Sequence, residues 1–203
     1  AIPSSTVQQP DISLFDHLLT TSAIASCLYK YHKLTNTLQV DEIKDSTKKK
    51  FLLIGGDLSG IQKYIFHIAH TNVKGVSKLL RARSFYIDAI GKVATHYILH
   101  ELGLPQVCTL VDAGGRFIIL GYNTEEAKSR LKNTAKEIDN WMRRIFAGEL
   151  VLNIAYIEIS GDELKVGNFR NTLNKLMDTI TFKKYRKLSA DLINDSCWDE
   201  SKF

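Results

Sequence analysis

A carboxylate follows a short apolar run just after the first quarter of the chain. Asp57 comes after the apolar residues 51–54 and two glycines, and Ser59 and Gly60 come soon after it. A carboxylate at the end of a buried strand can bind a divalent metal ion that holds the phosphates of a nucleotide. Ser59 and Gly60 would open a helix, whose free backbone N–H groups suit a phosphate. All three are candidate nucleotide-binding residues, and Asp57 is also a candidate metal ligand.

The same residues have a purely structural explanation. Ser59 and Gln62, three residues apart, match a capping box, in which two side chains satisfy free N–H groups at the start of a helix. Gly60 would permit a tight turn without any ligand. From the residues alone, capping and turning are favoured over catalysis.

A second candidate site is a glycine turn between two apolar runs. Residues 107–111 and 117–122 are separated by Asp112-Ala113-Gly114-Gly115-Arg116, which predicts a hairpin. Diguanylate-cyclase-like palm domains carry acids of their metal site in such a turn, as G-G-D-E-F, whereas Arg116 stands here. An arginine cannot bridge metal ions, but it can contact a phosphate. The candidate nucleotide contacts in this turn are Gly114, Gly115 and Arg116, with no catalytic residue among them.

Two pairs of basic side chains lie on the long helix that precedes this hairpin. Arg81 and Arg83 are two residues apart, so they point to different faces and are candidate contacts for a phosphate or a partner, or members of structural salt bridges. His96 and His100 have the spacing of metal ligands, but no third ligand is evident and H-E-x-x-H is absent. The sequence also has no Ser-His-Asp order, which disfavours a hydrolase.

Hydrophobic periodicity predicts the elements that position these residues. Helices are expected at residues 11–32 with Asp11 or Ser13 as the cap, from Gly60 to about His70, and at 77–102, 127–146 with Thr124 as N-cap, and 168–188. Strands are expected at 51–54, 107–111, 117–122 and 150–159. Residues 33–50, with three consecutive lysines, predict an exposed polar loop.

The element order βαββαβ predicts an α+β, ferredoxin-like fold of the palm or nucleotide-cyclase type, with helices on one face of an antiparallel sheet. Three parts are expected: a helical prefix and linker at 1–50, the palm at 51–160, and a helical extension at 161–203. Many unrelated proteins share this layout, so the fold alone does not assign a function.

Composition narrows the class of protein. The 203 residues are 44% hydrophobic and 24% charged, which is typical of a folded domain, and the net charge of +5 permits contact with nucleotides or nucleic acids. No apolar run is long enough to span a membrane, no export signal is visible, and three widely spaced cysteines suit a reducing cytoplasm. The non-methionine start and polar first residues lead us to expect part of a longer protein.

Four segments resemble the large subunits of type III CRISPR effectors. The string Gly56-Asp57-Leu58-Ser59-Gly60-Ile61-Gln62 is similar to the G-D-x-S-G-I-Q signature of their first palm domain. Residues 77–85 resemble the family's K-x-L-R-G-R-S-F helix start, with Ala82 in place of glycine, and residues 112–117 resemble its glycine-rich hairpin. Residues 11–25 resemble the segment that leaves the HD nuclease domain. The matches are most similar to the Csm-type (III-A) form.

The resemblance implies a first palm that forms half of an ATP pocket for cyclic oligoadenylate synthesis, with Mg²⁺ or Mn²⁺. A second palm with a G-G-D-D motif would supply the catalytic acids, and the parent's HD domain would cut single-stranded DNA. The implied partners are these two domains, other effector subunits, CRISPR RNA and target RNA, and no membrane. Asp57, Ser59 and the Gly114-Gly115-Arg116 turn would face the nucleotides.

The chain also departs from the family pattern. It has no G-G-D-D motif, Asp16-His17 reverses the order of an HD pair, and the zinc-binding cysteines expected after the first palm are absent. We therefore expect no cyclase or nuclease activity from this chain alone. Two alternatives stay open: a structural domain that docks effector subunits and RNA without touching a nucleotide, and a degenerate cyclase domain that binds a regulatory nucleotide.

Overall fold

The computed structural model describes residues 2, 4, 12–66 and 75–185. The first helix, α1, spans Leu14–Thr35, and the Ser13 hydroxyl caps it by accepting a hydrogen bond from the Asp16 N–H at 3.1 Å. This confirms one of the two predicted caps, because the other, Asp11, lies outside the described residues. The helix places Ala23 and Cys27 in the core of the molecule, so the predicted prefix packs onto the sheet.

The segment predicted as an exposed loop contains a short helix, α2, at Val40–Lys44. The prediction was wrong for Lys50, which is only 2% exposed. Its ammonium group donates hydrogen bonds to the backbone carbonyls of Glu42 and, at 3.1 Å, of Ile43. Burial of the ammonium group lowers the pKa of Lys50. The hydrogen bonds to carbonyls near the end of α2 compensate for this burial and satisfy acceptors that the short helix leaves open.

Four strands form one antiparallel sheet: β1 at Phe51–Ser59, β2 at Thr109–Ala113, β3 at Arg116–Tyr122 and β4 at Val151–Ile159. Their spatial order is β2-β3-β1-β4, and each neighbouring pair is antiparallel. This order, with a helical crossover after β1 and another after β3, is the ferredoxin-like arrangement. The predicted fold class is confirmed.

Strand β1 is longer than the sequence predicted, because Gly55 and Gly56 continue the strand and do not end it. A Cβ atom at Gly56 would lie 2.2 Å from the ring of Phe117, and one at Gly55 would lie 2.7 Å from the side chain of Ile180. The two glycines are therefore places of close packing within the strand. The consequence is that Asp57 belongs to the sheet and pairs with neighbours on both sides.

Three helices follow the expected pattern. Helix α3 spans Ile61–Phe66, α4 spans Val76–Leu102 and α5 spans Glu125–Phe146. The Thr124 hydroxyl caps α5 by accepting from the Ala127 N–H at 3.1 Å, as predicted. The predicted continuation of α3 to His70 lies outside the described residues. Within the described part of the chain, no helix is long and apolar enough to cross a bilayer.

An ion pair between Lys128 and Glu158 connects helix α5 to the edge strand β4. The Lys128 ammonium lies 2.9 Å from the Glu158 carboxylate and 2.6 Å from that of Glu125. The hydrogen bond from Lys128 lowers the pKa of Glu158, and the hydrogen bonds to Glu125 and Glu158 raise the pKa of Lys128. Glu158 thus marks the face of the sheet that α5 covers.

The last described helix, α6 at Phe169–Tyr185, covers the opposite face. Its residues Leu176 and Ile180 are buried against Gly55. The Lys183 ammonium donates to the backbone carbonyl of Ile154 in β4 at 2.5 Å. The sequence predicted helices on one face only, and α6, predicted as an extension, corrects this by closing the other face. The three-part division of the chain stays a prediction.

Candidate functional site

Three polar side chains meet where β1 approaches its end. Asp57 lies opposite Arg116 of β3 on one side and opposite Asn153 of β4 on the other. Directly opposed residues in a sheet project from the same face, so the three side chains share the face that α6 covers. We call Asp57, Ser59, Arg116, Asn153 and Lys184 the Asp57 cluster.

The carboxylate of Asp57 is held between two cations. The Nε and Nη2 atoms of Arg116 both donate to Oδ1, at 3.0 and 2.9 Å, and the Nζ of Lys184 lies 2.5 Å from Oδ2. The Asp57 side chain is 13% exposed, whereas those of Arg116 and Lys184 are 51% and 32% exposed. The buried acid therefore positions two cations that still face solvent, and one positive charge is left in excess.

The hydroxyl of Ser59 belongs to the same network. The Nδ2 of Asn153 donates to Ser59 Oγ at 3.0 Å and to the Asp57 carbonyl at 3.2 Å. Ser59 is the last residue of β1, and Gly60 is the residue immediately before α3. The Tyr64 N–H donates to the Gly60 carbonyl at 2.9 Å, so Gly60 begins the hydrogen bonding of α3. Gly60 is thus the N-cap of α3, and Ser59 lies one residue before the N-cap position that a capping box requires.

The glycines of the candidate site have clear structural roles. Gly60 has φ +94°, and a Cβ there would lie 1.9 Å from the carbonyl oxygen of Glu149. Gly114 and Gly115, with φ of +62° and +81°, form the two-residue turn between β2 and β3 that the sequence predicted. The Gly115 carbonyl accepts from the Leu58 N–H at 2.8 Å, which fixes the turn beside β1.

Arg81 and Arg83 separate in the structure as their spacing predicted. The guanidinium of Arg83 stacks on the ring of Tyr64, 4.6 Å from its centre, and donates to the Tyr64 carbonyl. Arg83 therefore joins α4 to α3, while Arg81 is exposed to solvent. Neither residue belongs to the Asp57 cluster as the structure describes it.

The described residues do not form a divalent-metal site by themselves. Both oxygens of Asp57 already contact cations, and among residues 12–66 and 75–185 no three His, Cys, Asp or Glu side chains converge as a metal site would require. His100 is exposed and lies 3.2 Å from its neighbour Glu101. The metal role predicted for Asp57 has no supporting second ligand here, so no chemical step is assigned to a metal on this chain.

Two members of the cluster, Asn153 and Lys184, were missed by the sequence analysis. Asn153 is a polar residue at an inward position of β4, which is a signal, but its partner follows only from the strand register. Lys184 is one of several lysines near the end of the chain, and nothing local distinguishes it. Only the packing of α6 brings it to Asp57.

Comparison with protein families matches residues 50–196 to Csm1 subunit domain B. The chain belongs to this Csm1 family. The Cas10/Csm1 single-strand-specific deoxyribonuclease (subtype III-A) of Methanocaldococcus jannaschii is 34% identical over 200 residues, which cover 91% of this chain and 24% of that protein. The corresponding protein of Enterococcus italicus is 35% identical over 199 residues, covering 93% of this chain and 25% of the relative. The chain spans about a quarter of the length of these Csm1 relatives, and the resemblance to type III-A large subunits is confirmed.

Solved Csm1 structures share the fold. A Csm1-Csm4 cassette in complex with AMPPNP is 33% identical, with a TM-score of 0.79 over 91% of this chain and 25% of that chain. A Csm1-Csm4 cassette in complex with cA4 is 32% identical, with a TM-score of 0.80 over 91% of this chain and 25% of that chain. Csm1 proteins with this domain have thus been observed with an ATP analogue, with a cyclic oligoadenylate and with the Csm4 subunit.

Proposed function

We propose that this Csm1 domain forms one wall of an ATP pocket for cyclic oligoadenylate synthesis, completed by a second palm of the same subunit. The observation that carries the proposal is the pair of solvent-facing cations, Arg116 and Lys184, which Asp57 holds beside a glycine turn. Solved relatives in complex with AMPPNP and cA4 support a nucleotide as the ligand.

The chemistry of the cluster suits a polyphosphate. Arg116 uses two N–H groups on Asp57, which leaves other donors of its half-exposed guanidinium for a ligand. Because the carboxylate fixes both cations beforehand, less side-chain freedom is lost when an anion binds. Asp57 thus acts as a positioning residue in this proposal, and Arg116 and Lys184 are the residues that would touch phosphate.

The catalytic acids would come from the second palm. The turn at Gly114 and Gly115 carries no carboxylate, and the only acid of the Asp57 cluster is paired with cations. A nucleotidyl transfer assisted by metal ions needs carboxylates that are free to bridge them. In this proposal the chain by itself binds and orients the nucleotide but does not catalyse the transfer. DNA cleavage is assigned to the HD domain of the parent.

Calorimetry with AMPPNP on the full-length subunit that carries this domain tests the proposal. Arg116→Ala and Lys184→Ala should each weaken AMPPNP binding roughly tenfold, because each removes a charge-assisted contact to phosphate. Lys136→Ala, an exposed charge on α5, is the matched control and should leave the affinity unchanged. Unchanged affinity in both cluster variants, with the subunit still folded, would refute the proposal.

The second candidate function, docking of other effector subunits, has its own support, since the solved relatives include Csm1-Csm4 assemblies. Arg81 is exposed on α4, where it can contact a partner of opposite charge. Arg81→Glu should then weaken co-purification of the subunit with its Csm4-type partner. The oligoadenylate yield should fall in proportion to the amount of assembled complex and no further. An intact assembly with this variant would argue against Arg81 as a docking residue.

A further inference from the structure

We infer that the end of the α4–α5 helix pair is a binding surface for single-stranded nucleic acid. Four aromatic rings from three helices meet there, with Phe146 at their centre. Its ring centre lies 5.7 Å from that of Tyr64, 6.0 Å from that of Tyr86 and 5.8 Å from that of Trp141. We call these four residues the aromatic cluster.

The outer rings of the aromatic cluster remain open to solvent. Phe146 is buried, whereas Tyr86 is 40% and Trp141 is 37% exposed. Trp141 meets Phe146 at an interplanar angle of 78° and Tyr86 at 49°, so neither outer ring stacks face to face on Phe146. Partly exposed aromatic rings can accept unpaired bases by stacking, with little dependence on sequence.

The helix segments that contribute the four rings are rich in basic residues. Residues 61–66, 76–87 and 140–146, which contribute the four rings, contain six Lys or Arg residues and no Asp or Glu. These six charges exceed the net charge of +5 of the whole chain. The six are Lys63, Lys78, Arg81, Arg83, Arg143 and Arg144.

The pairing within the described residues leaves most of this charge available. Arg143 lies 2.5 Å from Asp139, and Arg83 stacks on Tyr64, while Arg81 and Arg144 are exposed. Exposed cations on the same helices as partly exposed aromatic rings suit a strand that alternates bases and phosphates. A duplex keeps its bases stacked inside and could use only the cations, so the combination selects single strands.

This surface is separate from the Asp57 cluster. Helix α5 covers the face of the sheet that carries Glu158, whereas Asp57 lies on the face that α6 covers. The inference therefore does not rest on the proposed nucleotide pocket, and either can fail without the other.

Fluorescence of Trp141 provides a direct test on the full 203-residue chain. The substitution Trp198→Phe makes Trp141 the single tryptophan. Short oligouridylate and oligodeoxythymidylate strands are titrated at low and at physiological salt. We expect quenching of the Trp141 emission, binding that weakens with salt, and much weaker binding of a duplex of the same length. Tighter binding of the RNA or of the DNA strand would identify which of the two the surface prefers.

Variants separate stacking from simple charge attraction. Tyr86→Leu should weaken binding roughly tenfold while Tyr86→Phe retains it, and Arg144→Gln should reduce the salt dependence by about one counterion. The matched controls are Tyr29→Leu, an exposed ring on α1, and Lys136→Gln on α5. Equal binding of duplex and single strand, absence of quenching, or Tyr86→Leu behaving like Tyr29→Leu would each overturn the inference.

Discussion

Replacing Asp57 with Asn would remove the negative charge that separates Arg116 from Lys184. The two cations would then repel each other across a neutral amide, with contacts that now measure 2.9 Å and 2.5 Å to the carboxylate oxygens. The amide keeps nearly the same shape and one acceptor oxygen, so the change isolates the charge from the packing. We expect a less stable fold and looser positioning of both cations.

The size of the loss follows from the exposure of the partners. Exposed ion pairs contribute about 0–1 kcal/mol, whereas breaking a buried pair costs about 3–5 kcal/mol. Asp57 is nearly buried at 13% side-chain exposure, but Arg116 is half exposed, so the cluster lies between these limits. A loss of about 2 kcal/mol in the free energy of unfolding corresponds to a fall in Tm of about 4–8 °C for a domain of this size.

Thermal unfolding followed by circular dichroism measures the effect. The matched control is Asp88→Asn, because Asp88 forms an exposed pair with Lys92 at 2.7 Å, and this variant should lose much less stability than Asp57→Asn. Adding Lys184→Met to Asp57→Asn should restore part of the stability, since it removes one of the two repelling charges. Equal Tm values for the Asp57 and Asp88 variants would refute the reasoning.

Two further predictions concern stability. Gly60→Ala should lower Tm by several degrees, because its Cβ would collide with the Glu149 carbonyl. Gly75→Ala, with a similar φ of +91° and no atom of the described residues within 4 Å of its Cβ position, should cost less. Glu158 contributes stability above its unfolded pKa of about 4.3, and this is lost as pH falls through its lowered folded pKa. Glu158→Gln should therefore destabilise the chain slightly at neutral pH and have no effect near pH 2, and a penalty that persists at acid pH would contradict the ion pair with Lys128.

The sequence predicted the elements well, since local periodicity and caps such as Thr124 determine them. It misjudged β1, because Gly55 and Gly56 resemble a turn until the packing of Phe117 and α6 against them is known. Lys50 was misplaced for a related reason: a run of lysines indicates exposure unless carbonyls of a neighbouring helix are there to receive one of them.

The candidate site was predicted in part. The structure brings Asp57 and Arg116 together as direct neighbours in the sheet, with Ser59 connected through Asn153. Lys184 could not be predicted, because its contact with Asp57 joins residues far apart in the chain and depends on how α6 packs. Nucleotide contacts at Asp57, Ser59, Gly60, Gly114, Gly115 and Arg116 remain predictions.

The contact between Lys183 and the Ile154 carbonyl bears on where the chain can be shortened. Strand β4 is the last strand on its side of the sheet, and its nine residues are mostly apolar. Lys183 and the rest of α6 lie against it. A chain cut before Phe169 would expose the face of the sheet around β4 and Gly55 that α6 covers, and a large exposed apolar patch promotes aggregation. The chain truncated before Phe169 should accumulate in inclusion bodies, whereas a chain that keeps α6 through Tyr185 should be expressed in the soluble fraction.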